Sequence, residues 1–131
     1  APRKEARDMP TAMLVYCTCP EDTTAAQIAN TLIDERLAAC ANRIPAMSST
    51  YIWKGKVRTD SEVQLILKTT DQVYPALEKR IIELHPYELP EVLAVPVTAG
   101  LAGYVEWIID SVSPAGEDSG SREVPVTQKN D

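Results

Sequence analysis

The sequence has little of what several common protein classes require. It contains no phenylalanine, one histidine and three cysteines among 131 residues. Three cysteines are too few for a disulfide scaffold, so we expect a reducing, cytoplasmic setting. No apolar run approaches the roughly 18 residues of a membrane span, and the first residues lack the apolar segment of a signal peptide. Because the net charge is −6, we do not expect a nucleic-acid surface, which needs a basic patch.

Catalytic signatures are also missing from the sequence. There is no phosphate-cradling glycine motif of the P-loop kind and no Gly-x-Ser-x-Gly elbow. Hydrophobic residues are 44% of the chain and charged residues 24%, which is ordinary for a globular domain with a real core. We therefore expect a single binding or structural domain and not an enzyme.

Hydrophobic periodicity divides the chain into seven predicted elements. Alternating or continuous apolar runs predict strands at 12–18, 41–54, 61–69 and 92–97. Apolar residues at helical spacing predict helices at 24–37, 71–85 and 101–112. Thr24 and Gln27 fit a capping box for the first helix, and Asp71 fits a cap for the second. Pro96 places the last strand at a sheet edge, because proline cannot donate to a central ladder.

This element order predicts an α+β fold. Strand, helix, strand, strand, helix, strand is the order of a ferredoxin-like β-α-β-β-α-β sandwich with an antiparallel sheet, here followed by an extra C-terminal helix. The folded domain is expected to span 11–112. Residues 1–10 are predicted to be a flexible arm, and the polar residues 113–131 a disordered tail.

The alternating strand directions of this fold bring distant residues to one end of the sheet. The stretch 83–97 holds the single histidine, His85, in a proline-stiffened connection between the second helix and the last strand. The alternative for this connection is a plain turn in which the histidine is only a partly buried residue. The residues that the topology assigns to the same end are Cys17, Cys19, Trp53, His85, Glu88 and Glu91. Those expected at or toward the opposite end are Cys40, Asn42 and Lys68.

Several separated motifs resemble the CutA divalent-cation tolerance family. They cover 12–112 and keep the family's spacing. They are Tyr-Cys-Thr at 16–18, Leu-Ala-Ala-Cys-Ala-Asn at 37–42, Ser-Thr-Tyr-Ile-Trp-Lys-Gly-Lys at 49–56, Glu62, Leu-Lys-Thr at 67–69, His-Pro-Tyr-Glu at 85–88, Pro-Glu at 90–91, Tyr104 and Trp107. The resemblance implies a tight homotrimer similar to PII signalling proteins, in which long hairpin strands pair between subunits.

The resemblance also implies binding of divalent copper and a role in tolerance to metal ions. The family's proposed ligands correspond to Cys17 and His85, and Leu84 stands where some members carry a second histidine. A thiolate and an imidazole suit copper or zinc, and a closed site needs about four ligands. Further ligands would be Cys19, Glu88 and Glu91, or groups of another subunit. The alternative for the thiols is plain core packing.

A second function is compatible with the same resemblance. The trimer would then be a PII-like sensor or scaffold whose cleft between subunits binds a small anionic ligand or a protein partner. The residues expected to line this cleft or to make trimer contacts are Tyr51, Trp53, Lys54, Lys56, Glu62, Lys68, Tyr87 and Trp107. The lysines among them are alternatively only solvated charges.

Overall fold

The computed structural model describes residues 9–112 of the 131-residue chain. Its elements are β1 (Ala12–Cys19), α1 (Asp22–Asp34), β2 (Cys40–Trp53), β3 (Lys56–Thr70), α2 (Tyr74–Leu84), β4 (Val92–Pro96) and α3 (Ala102–Ser111). The four strands form one antiparallel sheet in the order β2-β3-β1-β4. This is the predicted ferredoxin-like fold with its extra helix. The described residues do not include the predicted tail at 113–131 or residues 1–8 of the predicted arm.

The core lies between one face of the sheet and the helices α1 and α2. Alternate residues of a strand share a face, and the inward residues of the two central strands are fully buried against the apolar stripes of the helices. The cluster includes Val15, Cys17, Cys19, Ile28, Leu32, Leu65, Leu67, Leu77 and Ile81. Because Phe is absent, aliphatic side chains and two thiols fill this layer, as the composition predicts. None of the helices in the described part of the chain is long and apolar enough to cross a bilayer.

The hairpin of β2 and β3 is longer than the sheet that carries it. β3 pairs with β1 only from Val63 to Thr70, so its first half pairs with β2 alone. The reversal is made by Lys54 and Gly55, with φ of 53° and 79°, and glycine adopts such left-handed angles readily. A register shift between Ile44 and Met47 bends the edge strand β2 beside Pro45.

The edge position of β4 is also confirmed, because β4 pairs with β1 alone. Pro96 therefore removes no hydrogen bond from a central ladder. The third helix, α3, reaches the sheet through Tyr104, whose hydroxyl accepts a 3.2 Å hydrogen bond from Nζ of Lys68. Since Lys68 alternates with the buried residues Leu67 and Thr69, α3 lies across the face opposite α1 and α2.

Both predicted helix caps are wrong. Helix α1 begins at Asp22 with Glu21 as N-cap, so Thr24 stands inside the first turn and makes no capping bond. Helix α2 begins at Tyr74 with Val73 as N-cap. Oδ1 of Asp71 instead accepts a 2.8 Å hydrogen bond from the backbone N–H of Thr11, which ties the end of β3 to the start of β1.

Two apolar residues of the predicted helices 24–37 and 101–112 are exposed in the structure. Ile33 lies in the last turn of α1 and is 36% exposed. Leu101 is 80% exposed and is the N-cap of α3, so it precedes the helical turn that would direct it inward.

Candidate metal centre

Two cysteines of β1 face the core side by side. Cys17 and Cys19 are both 0% exposed, and their two-residue spacing places both sulfurs on one face of the strand. On the central neighbour β3 they pair with Leu65 and Val63. The strand thus presents two thiols to the interior at the end where β1 stops.

His85 approaches these thiols from the end of α2. Its backbone has left the helix (φ −79°, ψ 137°), as the following proline favours. Its side chain is 7% exposed. Nε2 lies 2.7 Å from the carbonyl oxygen of Thr18, and the backbone N–H of Tyr87 donates a 3.0 Å hydrogen bond to Nδ1.

These two hydrogen bonds define the tautomer of the imidazole. A carbonyl only accepts and a backbone N–H only donates. Nε2 of His85 therefore carries the proton and donates it to Thr18, while Nδ1 holds the free lone pair. The ring is neutral and fixed between β1 and the loop after α2.

The two sulfurs and a ring nitrogen meet in one buried group. The ligand atoms of Cys17, Cys19 and His85 all lie within 4.8 Å of one another. We call these three residues the Cys-Cys-His cluster. Thiol and imidazole groups are ligands for copper and zinc, so the donor set fits a thiophilic ion. Their role as metal ligands stays a prediction.

The two thiols titrate as a coupled pair. A hydrogen bond to Cys19 and then burial raise the pKa of Cys17, with further contributions from the charges of Cys19 and Glu91. The same hydrogen bond lowers the pKa of Cys19, against the effects of burial and of Glu62. The first proton therefore leaves Cys19, and the Cys17 thiol donates to the resulting thiolate.

The predicted carboxylate ligands are not part of this cluster. Glu91 is exposed, and its Oε1 accepts a 3.0 Å hydrogen bond from Oγ1 of Thr18. Thr18 alternates with the two cysteines, so this bond lies on the other side of β1. Glu88 is exposed and lines a groove beside the hairpin.

That hairpin groove is a separate feature. Its lining comprises Tyr51, Trp53, Arg58, Asp60, Glu62, Tyr87, Glu88 and Leu89. The hydroxyl of Tyr87 donates a 2.7 Å hydrogen bond to Oε2 of Glu62, and that of Tyr51 donates to Asp60. Burial and then the bond to Glu62 raise the pKa of Tyr87. Trp53 lies here and not in the cluster, because the hairpin continues past the end of β1.

The remaining predicted residues lie at the two extremes of β3. Lys54 and Lys56 are at the hairpin turn, with Nζ of Lys54 5.7 Å from the centroid of the Trp53 ring. Lys68 pairs with Cys40 at the opposite end of β3, as predicted. Its Nζ lies 3.9 Å from the Cys40 sulfur. The 12 positions between Lys56 and Lys68 span about 40 Å of strand, so one protomer does not bring these lysines together.

Trp107 packs against Tyr104, the residue that also contacts Lys68, and it is not among the residues that line the hairpin groove. Its ring stacks at 5.5 Å on Tyr104. Its indole N–H is buried, with no hydrogen-bond partner among the described residues.

The partners that orient His85 were not predicted. They are backbone groups of Thr18 and Tyr87. Every residue carries such groups, so composition and motif contain no signal for them. Pro86, which ends the helix and turns the chain back, was the available hint.

Comparison with known proteins places this geometry in a family. Residues 13–111 match the sequence model of the CutA1 divalent ion tolerance protein. The Divalent-cation tolerance protein CutA of Thermus thermophilus is 42% identical over 95 residues, 72% of this chain and 92% of that protein. Protein CutA of Mus musculus is 43% identical over 104 residues, 77% of this chain.

Solved structures agree with the sequence matches. CutA1 from Oryza sativa superposes with a TM-score of 0.77 at 39% identity, covering 80% of this chain and 95% of that one. The Thermus thermophilus structure gives 0.76 at 39% identity, covering 78% and 99%. The sequence match of this chain spans only 59% of the mouse CutA protein and 52% of the human one. By sequence and by fold, the chain belongs to the CutA1 divalent ion tolerance protein family.

Proposed function

We propose that this protein binds copper through Cys17, Cys19 and His85 and takes part in tolerance to metal ions. The observation that supports this function is the mutual approach of three buried thiophilic ligand atoms within 4.8 Å. The relatives are named for divalent-cation tolerance. A metal site of this kind gives that role a chemical basis in this chain.

The hydrogen bonds of His85 indicate which ring nitrogen would bind the ion. A metal at Nδ1 would cost only the hydrogen bond from the Tyr87 N–H and would leave Nε2–H donating to Thr18. A metal at Nε2 breaks the bond to Thr18 and moves the proton to Nδ1, where it faces a second donor. Binding through Nδ1 would therefore break fewer hydrogen bonds than binding through Nε2. A second nitrogen that donates to a carbonyl is the usual support of a metal-bound imidazole.

A copper titration tests the assignment of the site. We expect binding of about one ion per chain, and Cys17→Ala should weaken it by more than ~100-fold, because loss of even an outer partner of a ligand costs 10–100-fold. Cys40→Ala is the matched control, since Cys40 lies at the other end of the sheet and should leave the affinity unchanged. Parent-like binding by Cys17→Ala, measured by equilibrium dialysis, would show that the ion sits elsewhere.

The active form is proposed to be a homotrimer. β2 is an edge strand of 14 residues, and the unpaired backbone groups of an edge strand can form hydrogen bonds with a strand of another chain. Its hairpin also exposes large apolar side chains, with Ile52 71% and Val57 72% exposed. A second and third copy would cover both features. Sedimentation equilibrium should give three times the 14.4 kDa chain mass, and a monomer at micromolar concentration would exclude this assembly.

The sensor alternative has less support from a single chain. The hairpin groove carries Asp60, Glu62 and Glu88 against one arginine, Arg58, so its charge disfavours a small anion. Lysines would have to come from neighbouring subunits to reverse this balance.

We also propose a cytoplasmic, non-enzymatic role. The location is supported by Cys17, Cys19 and Cys40, all of which are free thiols.

A further inference from the structure

We infer that the ion held most tightly by the Cys-Cys-His cluster is monovalent copper, bound by three ligands with Cys19 as a full ligand. This rests on the proposed function and specifies the oxidation state and the coordination of the same site. Two of the three donor atoms are sulfurs, and soft sulfur ligands select Cu(I) among the copper ions. Cu(II) instead prefers tetragonal sites of nitrogen and oxygen.

The number of ligands points in the same direction. Zinc takes four ligands, either four protein groups or three protein groups and a water, whereas the cluster formed in residues 9–112 has three members. Glu91, one of the predicted carboxylate ligands, is hydrogen-bonded to Thr18 on the other side of β1. A divalent ion would be neutralised by two thiolates, but its fourth ligand would have to be a water. Cu(I) is satisfied by a trigonal set.

The size of the cluster suits a small ion at its centre. In an equal-sided triangle of 4.8 Å, the upper limit for these atoms, the centre lies about 2.8 Å from each corner. Metal–sulfur bonds are about 2.3 Å. A contraction of roughly half an ångström per ligand is therefore sufficient, and side-chain rotation can supply it without moving the strand.

The burial of the Cys-Cys-His cluster also favours Cu(I) over a divalent ion. Cys17 and Cys19 are fully buried and His85 nearly so, and Leu65 and Val63 flank the cysteines on β3. Such a site offers little room for the water that completes many divalent sites. Binding requires no electron transfer, because copper enters already as Cu(I) and displaced thiol protons leave to solvent.

Anaerobic competition with the Cu(I) chelator bicinchoninate tests this inference. We expect Cys19→Ala to lower Cu(I) affinity by more than ~100-fold, with Cys40→Ala equal to the parent. X-ray absorption of the Cu(I)-loaded parent should show two sulfurs and one nitrogen. This measurement needs no variant, so it remains decisive if Cys19→Ala folds poorly.

The outcomes separate the inference from the function beneath it. If Cys17→Ala loses copper while Cys19→Ala keeps Cu(I) affinity, or if absorption shows four ligands, the three-coordinate cuprous site is wrong, while copper binding through Cys17 and His85 stands. If the parent binds Cu(II) or zinc more tightly than Cu(I), the preference for Cu(I) is likewise wrong. If neither cysteine variant changes any metal affinity, both proposals fail.

Discussion

Replacing His85 by alanine should weaken copper binding by more than ~100-fold and destabilise the protein by about 2–4 kcal/mol. The first effect follows from removal of the only nitrogen ligand in the cluster formed by the described residues. The second follows because the Thr18 carbonyl loses its partner in a buried setting and the Tyr87 N–H loses its partner in a partly buried one, and an unsatisfied buried group costs about 1–3 kcal/mol.

His85→Gln separates these two effects. The glutamine amide can place an N–H near the position of Nε2 and keep the bond to Thr18, so we expect about half of the stability loss or less. Glutamine does not replace imidazole as a copper ligand, so the affinity should stay low. Denaturation midpoints at one fixed protein concentration and dialysis against copper measure the two quantities. Equal copper affinity in the parent, His85→Ala and His85→Gln would show that His85 is not a copper ligand.

Leu65→Ala should destabilise the protein by about 3–5 kcal/mol, the upper range for leucine truncations in a rigid core. Leu65 is fully buried in the central strand β3 and pairs directly with Cys17 of β1. The sheet and two helices enclose it, so the surroundings cannot collapse into the space that the side chain leaves.

Ile82→Ala is the matched control for this prediction. Ile82 is 56% exposed on α2, and surface substitutions stay within about 0.5 kcal/mol. Urea denaturation at one protein concentration compares both variants with the parent, since the stability of an oligomer depends on concentration. A loss of less than 1 kcal/mol for Leu65→Ala would show that the layer beside Cys17 is loosely packed.

Topology was the most predictable part of this protein. Strand and helix periods are local signals, and Gly55 and Pro96 mark a turn and an edge with a direct steric reason. Once the element order is known, chain direction alone brings His85 to the end of β1 that carries Cys17 and Cys19. That convergence is what the structure shows.

The details that sequence could not supply depend on register and on tertiary contacts. Asp71 was expected to cap a helix, but the start of β1 offers it the Thr11 N–H instead. Trp53 was expected at the same end of the sheet as the cysteines, and the point where β1 ends relative to β3 decides how far beyond them the hairpin carries it. Glu88 and Glu91 were expected near the thiols, yet the loop directs them to the groove and to Thr18.

The most direct test of the copper site is a crystal of the copper-loaded protein measured at the copper absorption edge. We predict an anomalous peak between the sulfurs of Cys17 and Cys19 and Nδ1 of His85, with the Tyr87 N–H displaced from the ring. A peak at the hairpin-groove carboxylates or beside Cys40, with the His85 hydrogen bonds unchanged, would contradict it.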